Sequence, residues 1–239
     1  DVEQCLRQIE TFKLEEDFEF QDLKVKAYSS GHVIGSVLFQ FQMGNKSLIF
    51  SGDLGREKMP LITDRKTGME GNIVVMESTY GGRLHDDIEN SGEKLKEIVN
   101  RTAQRGGKII IPSFALERTQ EILYVLEDLL EKNEIPNLPI YVDSPMAINI
   151  TEVFQREKSI YDTEMKERYA NHPPFQNINI KYTETVEESK RINYRQGPCI
   201  IISASGMCEA GRIRHHLANN IIDRRNTILF VGYMAENTL

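Results

Sequence analysis

One stretch of this chain indicates its fold: Lys108-Ile-Ile-Ile-Pro-Ser-Phe-Ala-Leu-Glu-Arg-Thr-Gln-Glu-Ile-Leu-Tyr-Val-Leu-Glu-Asp-Leu-Leu-Glu-Lys132. Residues 108–112 form a β-branched, apolar run that is typical of a buried strand. From residue 118 onward the apolar side chains recur at helical spacing, which predicts a helix over residues 118–132. A strand that leads into an amphipathic helix is the repeating unit of a parallel α/β sheet.

The same alternation continues on both sides of this stretch. We predict helices near Ser91–Arg105, from about Met146 and near Ala210–Ala218, and strands at Pro139–Asp143, Cys199–Ser203 and Thr227–Gly232. This pattern predicts an α/β domain with a mainly parallel sheet flanked by helices. The polar run 158–179 is predicted to be helical and then looped, and the acidic run 183–188 to be an exposed face.

The N-terminal part of the chain has a different pattern, in which strands follow one another. The predicted strands are Leu23–Tyr28, Val37–Gln42, Ser47–Phe50 and Asn72–Met76. Residues 43–46 are a hairpin turn signal, and a register that pairs Gln42 with Ser47 places the aromatic residues on one face. This change of pattern predicts two domains, residues 1–84 and 85–239.

The predicted hairpin brings two candidate metal ligands together. Its turn lies at one end, so His32 in Ser30-Gly-His-Val-Ile-Gly-Ser36 and Asp53 in Phe50-Ser-Gly-Asp-Leu-Gly-Arg56 lie at the other. An imidazole and a carboxylate at one sheet edge are suitable ligands for a divalent metal ion. Each residue alone is better explained as an ordinary loop histidine or turn aspartate, and only their convergence favours a site.

Glu77 is a third candidate, because it ends the predicted strand 72–76 and begins Glu77-Ser-Thr-Tyr-Gly81. Carboxylates at the carboxyl ends of strands often face a ligand crevice. A surface glutamate that caps the next segment is an equally good interpretation. The other histidines are weaker candidates, since at most one of a helical pair can face a site and two lie in polar loops: His215 and His216, and His85 and His172.

Three predicted helices begin where a strand ends, and each beginning carries polar side chains. Backbone N–H groups at a helix start attract anions. Simple helix capping explains each start alone, whereas three starts at one sheet edge predict a phosphate-lined crevice. The residues at these starts are Ser113, Phe114 and Arg118, then Ser144, then Ser205, Gly206 and Arg212.

Composition limits the possible functions. The net charge of −7 argues against a protein that coats nucleic acid indiscriminately, so any nucleic-acid site must be a local basic groove. The three cysteines form no CxxC pair and no even disulfide framework, which favours a reducing compartment. No apolar run approaches the roughly 20 residues of a membrane span, and the N-terminus lacks the features of a signal peptide.

Six motifs, taken in order, resemble the β-CASP group of the metallo-β-lactamase-fold nucleases, which includes RNA 3′-end processing endonucleases and bacterial and archaeal ribonucleases. Three of them carry His32, Asp53 and Glu77. The others are Ser113-Phe-Ala-Leu-Glu-Arg-Thr-Gln-Glu121, Asp143-Ser-Pro-Met-Ala147, and Ser203-Ala-Ser-Gly-Met207 with Gly211-Arg212. The resemblance covers nearly the whole chain. It implies that residues 1–84 belong to a metallo-β-lactamase αββα sandwich and that residues 85–239 form an inserted β-CASP domain.

The resemblance implies a zinc-dependent hydrolase that cleaves RNA phosphodiester bonds, with two zinc ions in the full-length protein. His32 would be a zinc ligand, Asp53 would bridge both zincs, and Glu77 would assist proton transfer. The attacking group would be a zinc-bound hydroxide. The residues that would lie in or near the RNA cleft are Ser113, Phe114, Arg118, Ser144, Ser205, Gly206 and Arg212.

The chain departs from the family pattern in its zinc ligands. It lacks the upstream His-x-His-x-Asp-His run and the downstream histidine segments that supply most of them in the family. Catalytic zinc sites usually have three protein ligands, so two residues cannot hold a dinuclear centre tightly. For the chain as given we expect weak zinc binding through His32 and Asp53 and little or no hydrolysis.

Two other functions stay open at this point. One is a catalytically silent relative that serves as an RNA-processing scaffold, and the other is a small ester or thioester hydrolase of the same fold. We also expect RNA as the partner, no membrane association, and either a homodimer or a place in a processing complex. The expected location is the cytoplasm, or the nucleus if the source is eukaryotic.

Overall fold

The computed structural model describes residues 1–82, 89–170, 173–232, 234, 235 and 238, with the backbone alone for residues 89 and 90. The chain divides into two compact units, Asp1–His85 and Asp86–Leu239. His85 and His172, which the sequence assigns to polar loops, lie outside the described residues. Within those residues, no helix combines the length and the apolar character needed to cross a bilayer.

The first unit is built on a five-stranded sheet in the order β1-β2-β3-β4-β5. Its elements are α1 (Val2–Arg7), β1 (Asp17–Phe20), β2 (Leu23–Ser29), β3 (Val37–Met43), β4 (Lys46–Phe50) and β5 (Ile73–Val75). Strands β1 to β4 are antiparallel, and β5 joins β4 in parallel. Four strands match the predictions. Helix α1 and strand β1 have no counterpart in the sequence prediction, and both are short and mostly exposed.

The predicted register of the β3–β4 hairpin is confirmed, because Gln42 pairs with Ser47 and Phe39 pairs with Phe50. The ring centroid of Phe41 lies 6.0 Å from that of Phe39 and 5.8 Å from that of Phe50. The three rings therefore share one face of the sheet. A slip of one residue would move every side chain of a strand to the opposite face, so this aromatic cluster fixes the register.

The second unit contains a five-stranded sheet in which every strand pair is parallel, in the order β10-β6-β9-β7-β8. The mainly parallel sheet predicted from the sequence is confirmed. Its strands are β6 (Ile109–Pro112), β7 (Ile140–Val142), β8 (Ile180–Tyr182), β9 (Ile200–Ser203) and β10 (Thr227–Ile228). Its helices are α2 (Glu89–Gln104), α3 (Arg118–Glu131), α4 (Pro145–Arg156), a short 3-10 helix (Lys158–Ile160), α5 (Thr163–Arg168), α6 (Val186–Tyr194) and α7 (Ile213–Asn220).

Two elements of this unit have no counterpart in the sequence prediction. Strand β8 lies just beyond the run 158–179, which is predicted to be helical and then looped. Helix α6 begins within the acidic run 183–188, and the prediction that this run is exposed is confirmed for residues 184–188. Helix α6 begins with a capping box formed by Thr185 and Glu188 and buries only Ser189 and Ile192. An acidic helix with one buried apolar side chain leaves little periodicity to read. Strand β10 ends at Ile228, short of the predicted Gly232.

The strand order places a topological switch point between β6 and β9. The connection from β6 through α3 to β7 runs across the sheet in one direction, and the connection from β9 through α7 to β10 runs in the other. Because such crossovers are right-handed, α3 and α7 cover opposite faces, and the chain diverges between the two neighbouring strands. Ligands of open α/β sheets bind at such a switch point, outside the carboxyl ends of the strands.

In the first unit, the loop before β3 and the loop after β4 meet backbone to backbone. The amide of Gly55 donates to the carbonyl oxygen of Ser30 at 2.9 Å. A Cβ atom at residue 55 would lie 1.7 Å from the carbonyl oxygen of Gly31 and 2.7 Å from the amide nitrogen of His32. Only glycine allows this approach, so Gly55 sets the distance between the two loops.

This contact generates a prediction. We expect Gly55→Ala to destabilise the protein by about 1–3 kcal/mol or more, because backbone atoms of Gly31 and His32 must move to admit the methyl group. Chemical denaturation monitored by circular dichroism measures the change. Gly82→Ala is the control, since no atom of the described residues lies within 4 Å of the added methyl group. Equal stability of the two variants would contradict the assigned role of Gly55.

Candidate functional site

The structure brings His32 and Asp53 together at one edge of the first sheet, as the hairpin register predicts. His32 lies in the turn between β2 and β3, and Asp53 follows β4. The Nε2 atom of His32 is 3.9 Å from Oδ2 of Asp53, and the two side chains are 46% and 76% exposed. Both groups are therefore open to an ion from solvent.

Glu77 lies beside this pair, but its carboxylate binds backbone. Its Oε1 accepts from the amide of Leu54 at 3.0 Å, and its Oε2 accepts from the amide of Thr79 at 3.0 Å. The amide of Glu77 donates to Oγ of Ser51 at 3.1 Å. Glu77 thus holds the loop that carries Asp53 from both sides of that residue.

These contacts also set the charge of Glu77. The backbone amides of Leu54 and Thr79 lower the pKa of the Glu77 carboxyl below its ordinary value of 4.5, and the nearby His32 lowers it further. Partial burial opposes the shift without reversing it. Glu77 is therefore ionised at neutral pH and accepts hydrogen bonds, and its role in proton transfer stays a prediction.

The side chains of His32 and Asp53 are suitable zinc ligands, but two ligands are fewer than a zinc site requires. Ligands of a tetrahedral zinc site lie about 3.4 Å apart, so the 3.9 Å separation needs only a small adjustment of two exposed side chains. Among the described residues, no group of three or more His, Cys, Asp or Glu side chains could hold a metal ion. His32 and Asp53 fit as part of a zinc site and do not complete one.

In the second unit, the structure places four of the predicted binding residues together at the carboxyl ends of β6 and β9. The amide of Ser113, just after β6, donates to the carbonyl oxygen of Ser203 in β9 at 3.0 Å. The ring of Phe114 packs on Gly206, where a Cβ atom would lie 2.9 Å from its Cδ2. Ser205 follows β9 on the same edge. These four residues therefore lie side by side, as the alternation of strands and helices predicts.

The hydroxyl groups among these residues have local partners. Ser113 is buried and its Oγ donates to the carbonyl oxygen of Phe114 at 3.2 Å. Ser205 Oγ donates to the carbonyl oxygen of Ala210 at 3.3 Å. Ser144 caps α4, accepting from the amide of Ala147 at 3.3 Å. The capping interpretation accounts for the side chain of Ser144, and its role in substrate binding stays a prediction.

The two predicted arginines are also engaged. Arg118 begins α3, and its Nη1 lies 2.6 Å from Oε2 of Glu121. Arg212 donates from Nη1 to Asp143 at 2.7 Å and to the carbonyl oxygen of Thr183 at 3.0 Å. Its Nη2 donates to the carbonyl oxygen of Glu184 at 2.7 Å. Arg118 remains partly exposed at the start of α3, whereas Arg212 is mostly buried.

Asp143 is the centre of a buried network that no local sequence pattern indicates. Its Oδ1 accepts from Arg212, and its Oδ2 accepts from His216 Nε2 at 2.5 Å and from Ser189 Oγ at 2.5 Å. The second ring nitrogen of His216 lies 2.9 Å from Oδ1 of Asn193. Asp143 and His216 are fully buried, so the network joins β7, α6 and α7.

The network holds Asp143 ionised. Burial alone would raise the pKa of the Asp143 carboxyl, but the hydrogen bonds from His216, Ser189 and Arg212 outweigh it and hold the pKa below its ordinary value of 3.8. One signal was available in the sequence, since Ile213, His216, Leu217 and Asn220 form the buried face of α7. That spacing selects His216 over His215, and the partner of His216 comes from distant parts of the chain.

We predict that Asp143→Asn destabilises the protein by about 3–5 kcal/mol, because it leaves the mostly buried guanidinium of Arg212 without its counter-charge. A carboxyl whose pKa is depressed on folding stabilises the folded state above its unfolded pKa. That stability is lost as the pH falls through the folded value. Denaturant midpoints measured at pH 7 and below pH 3.8 should therefore converge between wild type and variant at the lower pH.

Asp223→Asn is the matched control, because Asp223 also pairs with an arginine, Arg225, at 2.8 Å, but at the surface. We expect a much smaller change for it. Equal destabilisation by the two substitutions would show that burial of the Asp143 network has no special importance.

Comparison with known proteins identifies the family. The Beta-Casp domain matches residues 119–239. Over its whole length the chain is 34% identical to Ribonuclease TTHA0252 of Thermus thermophilus, covering 55% of that protein. It is also similar to Cleavage and polyadenylation specificity factor 73 of Drosophila melanogaster (28% identity, 35% covered) and to an RNase J-like protein of Methanocaldococcus jannaschii (29% identity, 56% covered).

The chain thus spans little more than half of these relatives at most. The matched residues include strands β7 to β10 and the starts of α4 and α7, whereas β6 and the start of α3 precede them. The similarity to the relatives covers the whole chain and so includes the unit that carries His32, Asp53 and Glu77. The chain belongs to the β-CASP family of metallo-β-lactamase-fold nucleases.

Proposed function

We propose that the complete protein is a zinc-dependent ribonuclease, in which this chain supplies part of the metal site and the RNA-binding edge of the β-CASP domain. The observation that carries the proposal is the convergence of His32 and Asp53, exposed and 3.9 Å apart, beside the ionised Glu77. Relatives whose names contain ribonuclease or endoribonuclease support the same reaction. The remaining ligands would come from parts of the complete protein outside these 239 residues.

In this proposal, His32 would contribute an imidazole nitrogen and Asp53 a carboxylate oxygen to the metal site. Zinc, when bound, would lower the pKa of a water molecule and stabilise the charge that develops on the phosphate. The residues of this chain orient the ions and keep a fixed negative charge beside them. Glu77 supplies that charge and secures the Asp53 loop through the amide of Leu54.

RNA is the proposed substrate because three helix starts lie at the carboxyl edge of one parallel sheet. Helices α3, α4 and α7 follow β6, β7 and β9, which are neighbours in the sheet. Backbone N–H groups at such starts can bind phosphate oxygens. This binding does not require a strongly basic protein, and the chain has a net charge of −7. Membership of a processing complex is suggested by the cleavage and polyadenylation relatives. A homodimer stays a prediction.

The metal ligands provide the first test. In the full-length protein, Asp53→Ala and His32→Ala should each reduce RNA cleavage at least about 100-fold, because removal of a ligand forfeits several kcal/mol of metal stabilisation. Gel-based cleavage assays measure the rate, and elemental analysis of the wild type should find about two zinc ions per chain.

Asp22→Ala and His215→Ala, which change exposed residues outside the site, are the controls. Full activity of purified, folded Asp53→Ala would contradict the assignment. If small esters are hydrolysed faster than RNA in a competition assay, the substrate is a small ester and not RNA. Zinc binding without any hydrolysis would favour the scaffold.

The charge of Glu77 provides a second prediction. Because the Glu77 pKa lies below 4.5, this carboxylate does not titrate in the neutral range. We expect Glu77→Gln to lower the cleavage rate about 10–100-fold, as is usual for a group that supports metal ligands. The shape of the pH–rate profile between about pH 6 and pH 9 should stay unchanged. Loss of one limb of the profile in Glu77→Gln would instead identify Glu77 as the titrating acid or base.

A further inference from the structure

Ser36 does not belong to the proposed ligand set, yet it makes most of the contacts that shape the His32 turn. Its Oγ accepts from the amide of His32 at 3.2 Å and from the amide of Val33 at 3.0 Å. The hydroxyl of Ser30 donates to the same Oγ at 2.8 Å. Two backbone bonds close the turn, from Ser36 N to the carbonyl of Val33 at 3.0 Å and from Ser30 N to the carbonyl of Ser36 at 3.2 Å.

The two amide contacts act on the peptide planes that flank the Cα atom of His32. The amide of His32 belongs to the plane before this atom, and the amide of Val33 belongs to the plane after it. A planar peptide leaves each residue only two soft dihedral angles. By binding both amides, a single hydroxyl oxygen therefore restrains both backbone angles of His32, and with them the direction in which its side chain leaves the backbone.

The imidazole itself has little other support. Ligating histidines usually donate their second ring nitrogen to a carboxylate or a carbonyl group, which fixes the ring. The nearest charged partner of the His32 imidazole is the Asp53 carboxylate, at 3.9 Å. Among the described residues, no hydrogen bond to this imidazole is formed. Its side chain is 46% exposed, so packing does not hold it firmly. The orientation of the ring depends mainly on the backbone from which it projects.

We propose that Ser36 is a positioning residue for the metal site, and that its hydroxyl preorganises His32 for zinc by binding the two amides that flank it. The proposal rests on the proposed function in one respect, namely that His32 binds zinc. Its structural half is independent of that function, because the restraint on the turn exists without metal. The two halves therefore have separate measurements.

The test uses the full-length protein as wild type, Ser36→Ala and Ser36→Thr. Ser36→Ala removes the acceptor, and we expect zinc affinity, measured by competition with a chelator, to fall about 10–100-fold. Ser36→Thr keeps the hydroxyl and should restore the affinity to within about threefold of wild type. Ser159→Ala, which truncates an exposed serine of the second unit, is the matched control and should bind zinc as the wild type does.

Hydrogen exchange of the zinc-free protein is the second measurement. Ser36→Ala should speed exchange in the peptide that contains His32 and Val33, while Ser36→Thr and Ser159→Ala leave it unchanged. Faster exchange with unchanged zinc affinity would overturn the positioning role. So would equal zinc affinity losses in Ser36→Ala and Ser36→Thr, because the hydroxyl would then be irrelevant. If the wild type binds no zinc, the proposed function is wrong. If hydrogen exchange is unchanged in Ser36→Ala, the proposed restraint on the His32 turn is wrong, whatever the zinc result.

Discussion

The buried carboxylate of Asp143 is the interaction on which the arrangement of the second unit depends. An ionised group inside a protein is tolerated only when other groups replace its hydration, and here Arg212, His216 and Ser189 do so. Because these partners come from α6 and α7 while Asp143 follows β7, the charge can be satisfied only when all three elements are in place. The start of α7 is thereby held next to the end of β7, and the loop with Ser205 and Gly206 is held beside Phe114.

In the first unit, main-chain contacts rather than a buried charge network position the candidate ligands. Its candidate ligands must stay open to solvent, so a buried charge network cannot fix them. Their positions depend on the backbone contact between Gly31 and Gly55, on the amides bound by Ser36, and on Glu77. Hydrogen bonds and close packing of the main chain can orient an exposed side chain without covering it. The same protein thus uses main-chain contacts where access is needed and a buried ion network where it is not.

Much of this architecture could be predicted from local patterns. The hairpin register followed from the turn signal and the alternation of aromatic residues, and it placed His32 near Asp53 without any structure. Prediction failed where the physical signal is weak. Helix α6 buries one apolar side chain, and β8 has three residues, so neither shows a period. The Asp143 network is not predictable from local patterns either, because its partners are far apart in the chain. Arg212 and His216 lie 69 and 73 residues after Asp143.

By itself, the sequence determined the alternation of strands and helices and the pairing of β3 with β4, and it indicated which residues are proposed to bind metal or phosphate. These depend on periodicity, turn chemistry and residue type, which are local properties. Only the tertiary structure decided what each polar side chain does. Arg212 binds Asp143, Ser144 caps a helix, and Glu77 holds the Asp53 loop as an ionised group. Those roles depend on how deeply each side chain is buried and on partners from distant positions in the chain. A local pattern of residues specifies neither the burial nor the partners.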